Sequence, residues 1–197
     1  MHDYIVSIDP SITSTGICIY DVKQNKYFIY SYTNKLKVKE GNIKFSVDNY
    51  DVFIEKQIKG SKFNCNFNRY IHVAEHIYEF VKEIINDNVF FFIEGYAFAA
   101  KGKSFSIGEF GALLKRPFYN DGITMPEIAP SEWKLSIIGR GGAKKNEIYD
   151  KLSDTEFSVV LDKFSELGYP YKDKHWIEDI CDVYAIQKHS QILLKDI

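Results

Sequence analysis

Tyr4-Ile5-Val6-Ser7-Ile8-Asp9-Pro10-Ser11 opens the readable part of the chain, and the stretch runs on through Thr15 to Gly16. The short β-rich apolar run, closed by a proline, reads as a buried strand over residues 3–9. It ends in a carboxylate. A second run, Val89-Phe90-Phe91-Phe92-Ile93-Glu94, ends the same way. A carboxylate at the end of a buried strand is costly unless something cationic meets it. Further on, Glu178-Asp179-Ile180-Cys181-Asp182 sets Asp179 and Asp182 three residues apart, on one face of a helix. Val183, Ala185 and Ile186 continue that helix as an apolar one, so this face has to press on the sheet. If the strands ending in Asp9 and Glu94 are neighbours, all four acids meet. Their repulsion calls for hard divalent cations, Mg²⁺ or Mn²⁺, as a pair. Glu178 reads as a bystander to this set.

Working outward, Gly16 to Tyr20 and Tyr27 to Tyr32 read as two more strands, and with the first they make a meander. Residues 34–65 are polar and Lys/Asn-rich. They read as an inserted connection with room for a short strand or helix over Tyr50 to Ile58. Over residues 68–86, Ile71, Ala74, Ile77, Tyr78, Val81, Ile84 and Ile85 share one helical face. A helix capped by Ser104 should stop near Lys115, ahead of Pro117. Met125 to Ala129 reads as a fifth strand closed by Pro130, followed by a short helix capped by Ser131 that holds Trp133 and Lys134. Gly139, Gly141 and Gly142 precede another helix from Ala143, and residues 155–167 and 175–194 read as helices. The expectation is a single α/β domain over 1–197: a mixed five-stranded sheet flanked by helices.

Bulk properties narrow the function classes. At 197 residues, 45% hydrophobic and 26% charged, the chain is an ordinary globular length and composition. It holds no apolar run of transmembrane length and its start lacks a signal-peptide pattern. Cys18, Cys65 and Cys181 are odd in number and scattered, which fits a reducing cytoplasmic compartment and no disulfides. A net charge of −2 does not advertise nucleic acid, but its distribution is uneven. Lys101, Lys103, Lys115 and Arg116 follow the Glu94 strand. Lys134, Arg140, Lys144 and Lys145 form a second group, and Lys56, Lys59, Lys62 and Arg69 a third. Acidic pockets flanked by such groups suit phosphodiester substrates.

The ordered set is similar to the RuvC family of Holliday junction resolvases, which has the ribonuclease H-like fold. The likeness rests on strand-Asp-Pro-Ser-x-x-x-Thr-Gly at 4–16, the strand ending in Glu94, and the Asp179-x-x-Asp182 helix. It also rests on Trp133 to Lys145, which resembles the family's segment of Lys, an apolar run, Gly-x-Gly-x-Ala and Lys. Together these cover 3–22 and 89–190. The resemblance implies a homodimeric, metal-dependent endonuclease that resolves four-way DNA junctions by paired symmetric nicks, leaving 3′-hydroxyl and 5′-phosphate. It implies Asp9, Glu94, Asp179 and Asp182 as metal ligands, with Lys134 and Lys145 assisting cleavage. It implies DNA contacts from Tyr96, Phe98, Lys101, Lys103, Arg140 and Lys144, with Phe98 or Tyr96 stacking on an unpaired base. The helix from Ser104 to Lys115, with Phe105, Ile107, Phe110, Leu113 and Leu114, is the expected dimer interface. Size and composition resemble a bacterial or phage member.

Departures keep other readings open. Residues 34–65 exceed the family's connection, and Gly95-Tyr96-Ala97-Phe98 replaces its usual residues after the glutamate. A broader nuclease for flaps and forks, and a DNA-binding module that does not cleave, carry the same acids. The Asp9-to-Gly16 stretch also resembles the phosphate hairpin of actin-like ATPases, but no second hairpin follows. His72-Val73-Ala74-Glu75-His76 matches an inverted zinc-peptidase pattern on what reads as the solvated helix face, without a third ligand. His175, one turn before Asp179, is a candidate acid–base group.

Overall fold

The computed structural model describes residues 2–37, 41–58, 62–85, 88–95, 104–171 and 176–195. Strand β1 (Tyr4–Asp9) pairs antiparallel with β2 (Ser14–Asp21), and β2 with β3 (Lys26–Thr33), which is the expected meander. The four-residue β2–β3 turn ends at Asn25, whose φ of 51° suits a short polar side chain. β5 (Tyr50–Lys56) falls on the stretch where a short strand or helix had room, and β4 (Ile43–Val47), which the sequence reading lacked, pairs with it as a hairpin within the segment read as a connection. Ile43, Tyr50, Val52 and Ile54 turn inward at every second position, and Asp48 takes the turn at φ 47°. The surrounding Lys and Asn residues hide this period of two in the sequence.

β6 (Val89–Glu94) lies parallel to β1, and β7 (Glu127–Ile128) parallel to β6. β7 is only two residues long, shorter than the Met125–Ala129 strand expected. The sheet therefore has seven strands, ordered β4-β5-β3-β2-β1-β6-β7, instead of five. β3 runs in the direction of β1, and β5 is parallel to β3. The carboxyl ends of β1, β3, β5, β6 and β7 thus open on one edge.

Helices α1 (Asn66–Ile84) and α2 (Ser104–Asn120) cover one face. Val6, Ile8, Phe91 and Ile93 meet Val73, Ile77, Phe110 and Leu114 there. Burying each such side chain contributes roughly 1.5–3 kcal/mol. α2 does not stop before Pro117 but continues to Asn120. Phe118, fully buried against Phe91 and Tyr78, offsets the backbone hydrogen bond that the proline removes. Phe110 and Leu114, expected at a dimer interface, belong to this core, while Phe105 is 96% exposed.

The opposite face carries α3 (Pro130–Ile138), α4 (Lys145–Ser153), α5 (Ser158–Glu166) and α6 (Trp176–Lys195). α3 begins with Pro130 at its first turn and Ala129 as N-cap, so Ser131 is not the cap. α4 begins at Lys145, two residues later than expected, with its N-cap at Lys144. α6 lies between the sheet and α3 and α4. It is buried on nearly every side from Trp176 to Ser190, as expected of a helix apolar all round. Ser7 and Ser190 hydroxyls bond across this interface at 2.9 Å.

Candidate active site

Strand alternation decides where the strand acids point. Ile5 joins the core on the α6 side and Val6 and Ile8 the core on the other, so Asp9 shares the α6 side with Ile5 and Ser7. Phe92 likewise faces α6 while Phe91 and Ile93 face away, which puts Glu94 on the α6 side. Ile8 pairs with Ile93, so Asp9 and Glu94 follow each other at the ends of adjacent parallel strands. Asp179 and Asp182 lie in the first two turns of α6, both buried. The partial positive charge at the helix start favours anions there.

α6 reaches this depth because of Gly16. A Cβ at Gly16 would come within 3.1 Å of Val183 Cβ and 3.4 Å of the Asp179 carbonyl oxygen. Gly16 is also the register partner of Asp9. The absent side chain lets the helix acids approach the strand acid.

Electrostatics show that the four acids form one group. Burial, then the charges of Glu94, Asp182 and Asp179, push the Asp9 carboxyl well above the usual range, and Asp9 shares a hydrogen bond with Glu94. Burial pushes Asp182 up to about 6, with Asp179 and Glu94 adding and Lys145 opposing. Lys145 Nζ lies 3.1 Å from Asp179 Oδ1, 3.2 Å from Asp182 Oδ2 and 3.7 Å from Glu178 Oε2, so Glu178 shares this ammonium with the two aspartates. Burial alone would lower the Lys145 ammonium, but Asp182 and Asp179 outweigh it and hold it well above its ordinary value.

Two participants escaped the sequence reading. Lys35 Nζ sits 2.5 Å from Asp179 Oδ2, so Asp179 is held between two ammonium groups. Lys35 comes from the carboxyl end of β3, which opens on the same edge as Asp9; the parallel course of β1 and β3 was the available signal. Trp133, 1% exposed, donates its indole N–H to Glu94 Oε1 at 2.8 Å and fixes that carboxylate. Lys134 does not reach the acids through any contact among the described residues; its Nζ lies over the Trp133 ring, 5.3 Å from the centroid. Arg140 is exposed and pairs with Glu147, which also accepts the Lys144 backbone N–H. Tyr96, Phe98, Lys101, Lys103 and His175 lie outside the described residues, as does Lys59.

Among the described residues no three acidic, histidine or cysteine side chains close into a ready metal cage. The donor chemistry nevertheless fits a hard divalent ion. Every candidate ligand is a carboxylate oxygen, and Asp182 Oδ1 is buried with no hydrogen-bond partner among the described residues. The ammonium groups of Lys35 and Lys145 supply part of the positive charge that such a cluster requires. The zinc pattern is different. His72 and His76 are half-buried and turn onto the sheet, bonded to Tyr32 and Tyr30, with Glu55 against His76 at 3.2 Å. Tyr30 and Glu55 satisfy His76 as part of a packed polar cluster.

No helix of the described residues is long and apolar enough to cross a membrane. No protein-family model matches the sequence, and no curated protein matches it. Solved structures do. Thermus thermophilus RuvC superposes with a TM-score of 0.56 at 14% identity, covering 98% of this chain and 96% of that one. T. thermophilus RuvC in complex with Holliday junction substrate gives 0.53 at 15% identity, with 98% and 97% covered. At this identity the likeness is one of architecture: the chain has the mixed α/β, ribonuclease H-like fold of RuvC.

Proposed function

We propose that this chain is a divalent-metal-dependent endonuclease that nicks four-way DNA junctions, acting as a homodimer in the cytoplasm of a bacterial cell or phage-infected host. The observation that carries the reading is the convergence of Asp9, Glu94, Asp179 and Asp182 from β1, β6 and α6, with Lys145 among them. A cluster of acids this expensive to bury fits a site whose charge is completed by ions and a phosphodiester. Asp9, Glu94, Asp179 and Asp182 would hold Mg²⁺ or Mn²⁺. When bound, the ions supply Lewis-acid polarisation of the phosphodiester and offset the charge that develops on it.

The chain's own residues do the positioning. Trp133 holds Glu94 in one rotamer through its 2.8 Å hydrogen bond. Lys145, with 45% of its side chain exposed, can give up a carboxylate for a phosphate oxygen and keep its charge beside the reacting group. Lys134, on α3 beside Trp133, would turn from the Trp133 ring to a phosphate of the bound strand. Arg140 and Lys144, both exposed before α4, would meet the DNA backbone, joined by Lys101 and Lys103. Phe98 or Tyr96 would stack on an unpaired base. Only Arg69, Arg116 and Arg140 are arginines, so bidentate guanine reading is limited and sequence preference should be weak. The exposed Phe105 on α2 supports a second copy docking there, which would give two equivalent sites for symmetric nicks.

The test is cleavage of matched four-way, three-way, flap and linear DNAs at one salt concentration with Mg²⁺. Junctions should be cut fastest and Asp9→Asn should abolish the reaction. Equal rates on all four substrates would leave a broader ribonuclease H-like nuclease for forks and flaps. An Asp9→Asn chain that cuts like wild type would remove the site assignment altogether.

A further inference from the structure

A second recess, lined by Pro10, Ile12, Tyr70 and Ile107 as well as by polar side chains, lies just beyond Asp9. The turn that follows β1 and the first turns of α1 and α2 enclose a cavity of about 390 Å³. Ser11 and Thr13 line it from the turn, Asn66 and Arg69 from α1, and Ser106 from α2. The Ser11 and Thr13 hydroxyls are 3.3 Å apart. Arg69 Nη2 donates to the Ile12 carbonyl at 2.5 Å, which anchors the guanidinium beneath the turn. Its Nε is buried and has no hydrogen-bond partner among the described residues.

That combination has a direction. A buried, unpaired donor on a charged group is costly, so a charged acceptor is the natural complement. Among the described residues no carboxylate lines the cavity, and neither α1 nor α2 carries an acid in its first turn. The hydroxyls, the amide and the guanidinium among the lining residues are the donor types an oxyanion takes, and the planar fork of arginine suits phosphate. Asp9 is two residues from Ser11, at most about 7 Å along an extended chain. The recess lies on the α1/α2 side of the sheet end and the acids on the α6 side, so a nucleic-acid strand that crosses this end can meet both.

We infer that this cavity binds a phosphodiester of the DNA strand being cut, one neighbouring the phosphate at the acids, and that Arg69 is its principal contact. The inference rests on the nuclease reading of the acidic site. Arg69 is a positioning residue: it holds the strand in register while the acids act on the next linkage.

Two arms test it with the full chain, in EDTA so that nothing is cut. In the first, inorganic phosphate is titrated while the Arg69 Nε–H resonance is followed by NMR. The resonance should shift and saturate in wild type and stay still in Ser106→Glu, which adds an anion to the recess without touching the Arg69–Ile12 anchor. In the second, junctions carrying a single uncharged methylphosphonate at each position near the cut are compared for affinity. One position should weaken wild-type binding about tenfold, as for one charge-assisted contact, and have almost no effect in Arg69→Gln or Ser106→Glu. The salt dependence of both variants should fall by about one phosphate's worth. If wild type binds junctions but no position shows this coupling, the inference is overturned and the nuclease reading stands. If wild type binds no DNA, both fall. A phosphate-induced shift unaffected by Ser106→Glu would place the anion elsewhere and also overturn the assignment.

Discussion

Acidifying the metal-free protein from about pH 8 to about pH 5 should make it more stable, against the usual trend of acid denaturation. The cause lies in the acid cluster. Asp182 is raised from 3.8 to about 6, chiefly by burial, and Asp9 is also raised, by burial and three carboxylate neighbours. In the unfolded chain such groups lose their proton near pH 4. Between that pH and the folded value the native state holds more protons than the unfolded one. Stability therefore falls as pH rises through this window and levels off above it. For Asp182 alone the rise from 3.8 to about 6 corresponds to about 3 kcal/mol, as an upper figure for a coupled site. A loss of about 1–3 kcal/mol between pH 5 and pH 8 is expected, or roughly 2–4 °C of melting temperature per kcal/mol for a chain of this length. Groups of opposite sign act lower. Burial opposes the ionised form of Asp51, but bonds to Lys26 and Ser46 outweigh it and lower that carboxyl; the His76 bond lowers Glu55. Their contributions are lost only below about pH 4, so the optimum should lie near pH 5. The assay is thermal unfolding by circular dichroism in EDTA across that range, for wild type and Asp9→Asn. The variant should be the more stable protein at pH 8 and have the flatter profile. Identical profiles, or an Asp9→Asn chain that melts earlier at pH 8, would refute the electrostatic account.

Other perturbations separate the parts of the site. Gly16→Ala forces a Cβ to 3.1 Å from Val183 Cβ, and should cost about 1–3 kcal/mol in urea unfolding while cutting cleavage beyond what lost folded protein explains. An unchanged midpoint would show that α6 moves freely. Trp133→Phe keeps the ring but removes the indole N–H to Glu94; Mn²⁺ affinity, followed by electron paramagnetic resonance, should weaken about 10-fold or more. Lys145→Ala should slow single-turnover cleavage far more than it weakens junction binding, because one charge is lost among the acids and few at the DNA surface. A pure affinity loss with normal turnover would contradict that role. Lys35→Met should tighten Mn²⁺ binding if its ammonium competes with the ion for Asp179, and leave it unchanged if it does not.

The core of the fold was legible because its signals are local. Short apolar runs at 4–9 and 89–94, a 3.6-residue period in 68–86 and the glycines before α4 are visible without knowing any contact. The paired acids of α6 were legible for the same reason: Asp179 and Asp182 sit on one helical face whatever packs against it. What stayed hidden depends on partners distant in sequence. The β4–β5 hairpin has its period of two, but Lys44, Lys56 and the neighbouring asparagines mask it. Pro117 reads as a stop because the sequence does not reveal how much Phe118 buries. Lys35 falls in the polar 34–65 stretch, and only the shared direction of β1 and β3 brings it to Asp179. Trp133 was placed only in a short helix; it is a core residue whose single polar side-chain atom bonds Glu94. The assignment of Lys134 to the acids came from the resemblance, and its nearest described partner is the Trp133 ring.

The docking of α6 onto β1 also has a kinetic meaning. Asp9 meets acids 170 and more positions further along the chain, and the Ser7–Ser190 bond closes a comparable span. Closing so large a loop is entropically slow, and strand β1 has no local partner for this contact. α1 and the β4–β5 hairpin, whose contacts are local, can form well before it. Refolding should therefore regain circular dichroism amplitude early and activity late, with the acids kept apart until the last major docking step. In a partly folded chain the mutual repulsion of the acids never arises, so the cluster acts as a brake on the final step and leaves the earlier ones untouched.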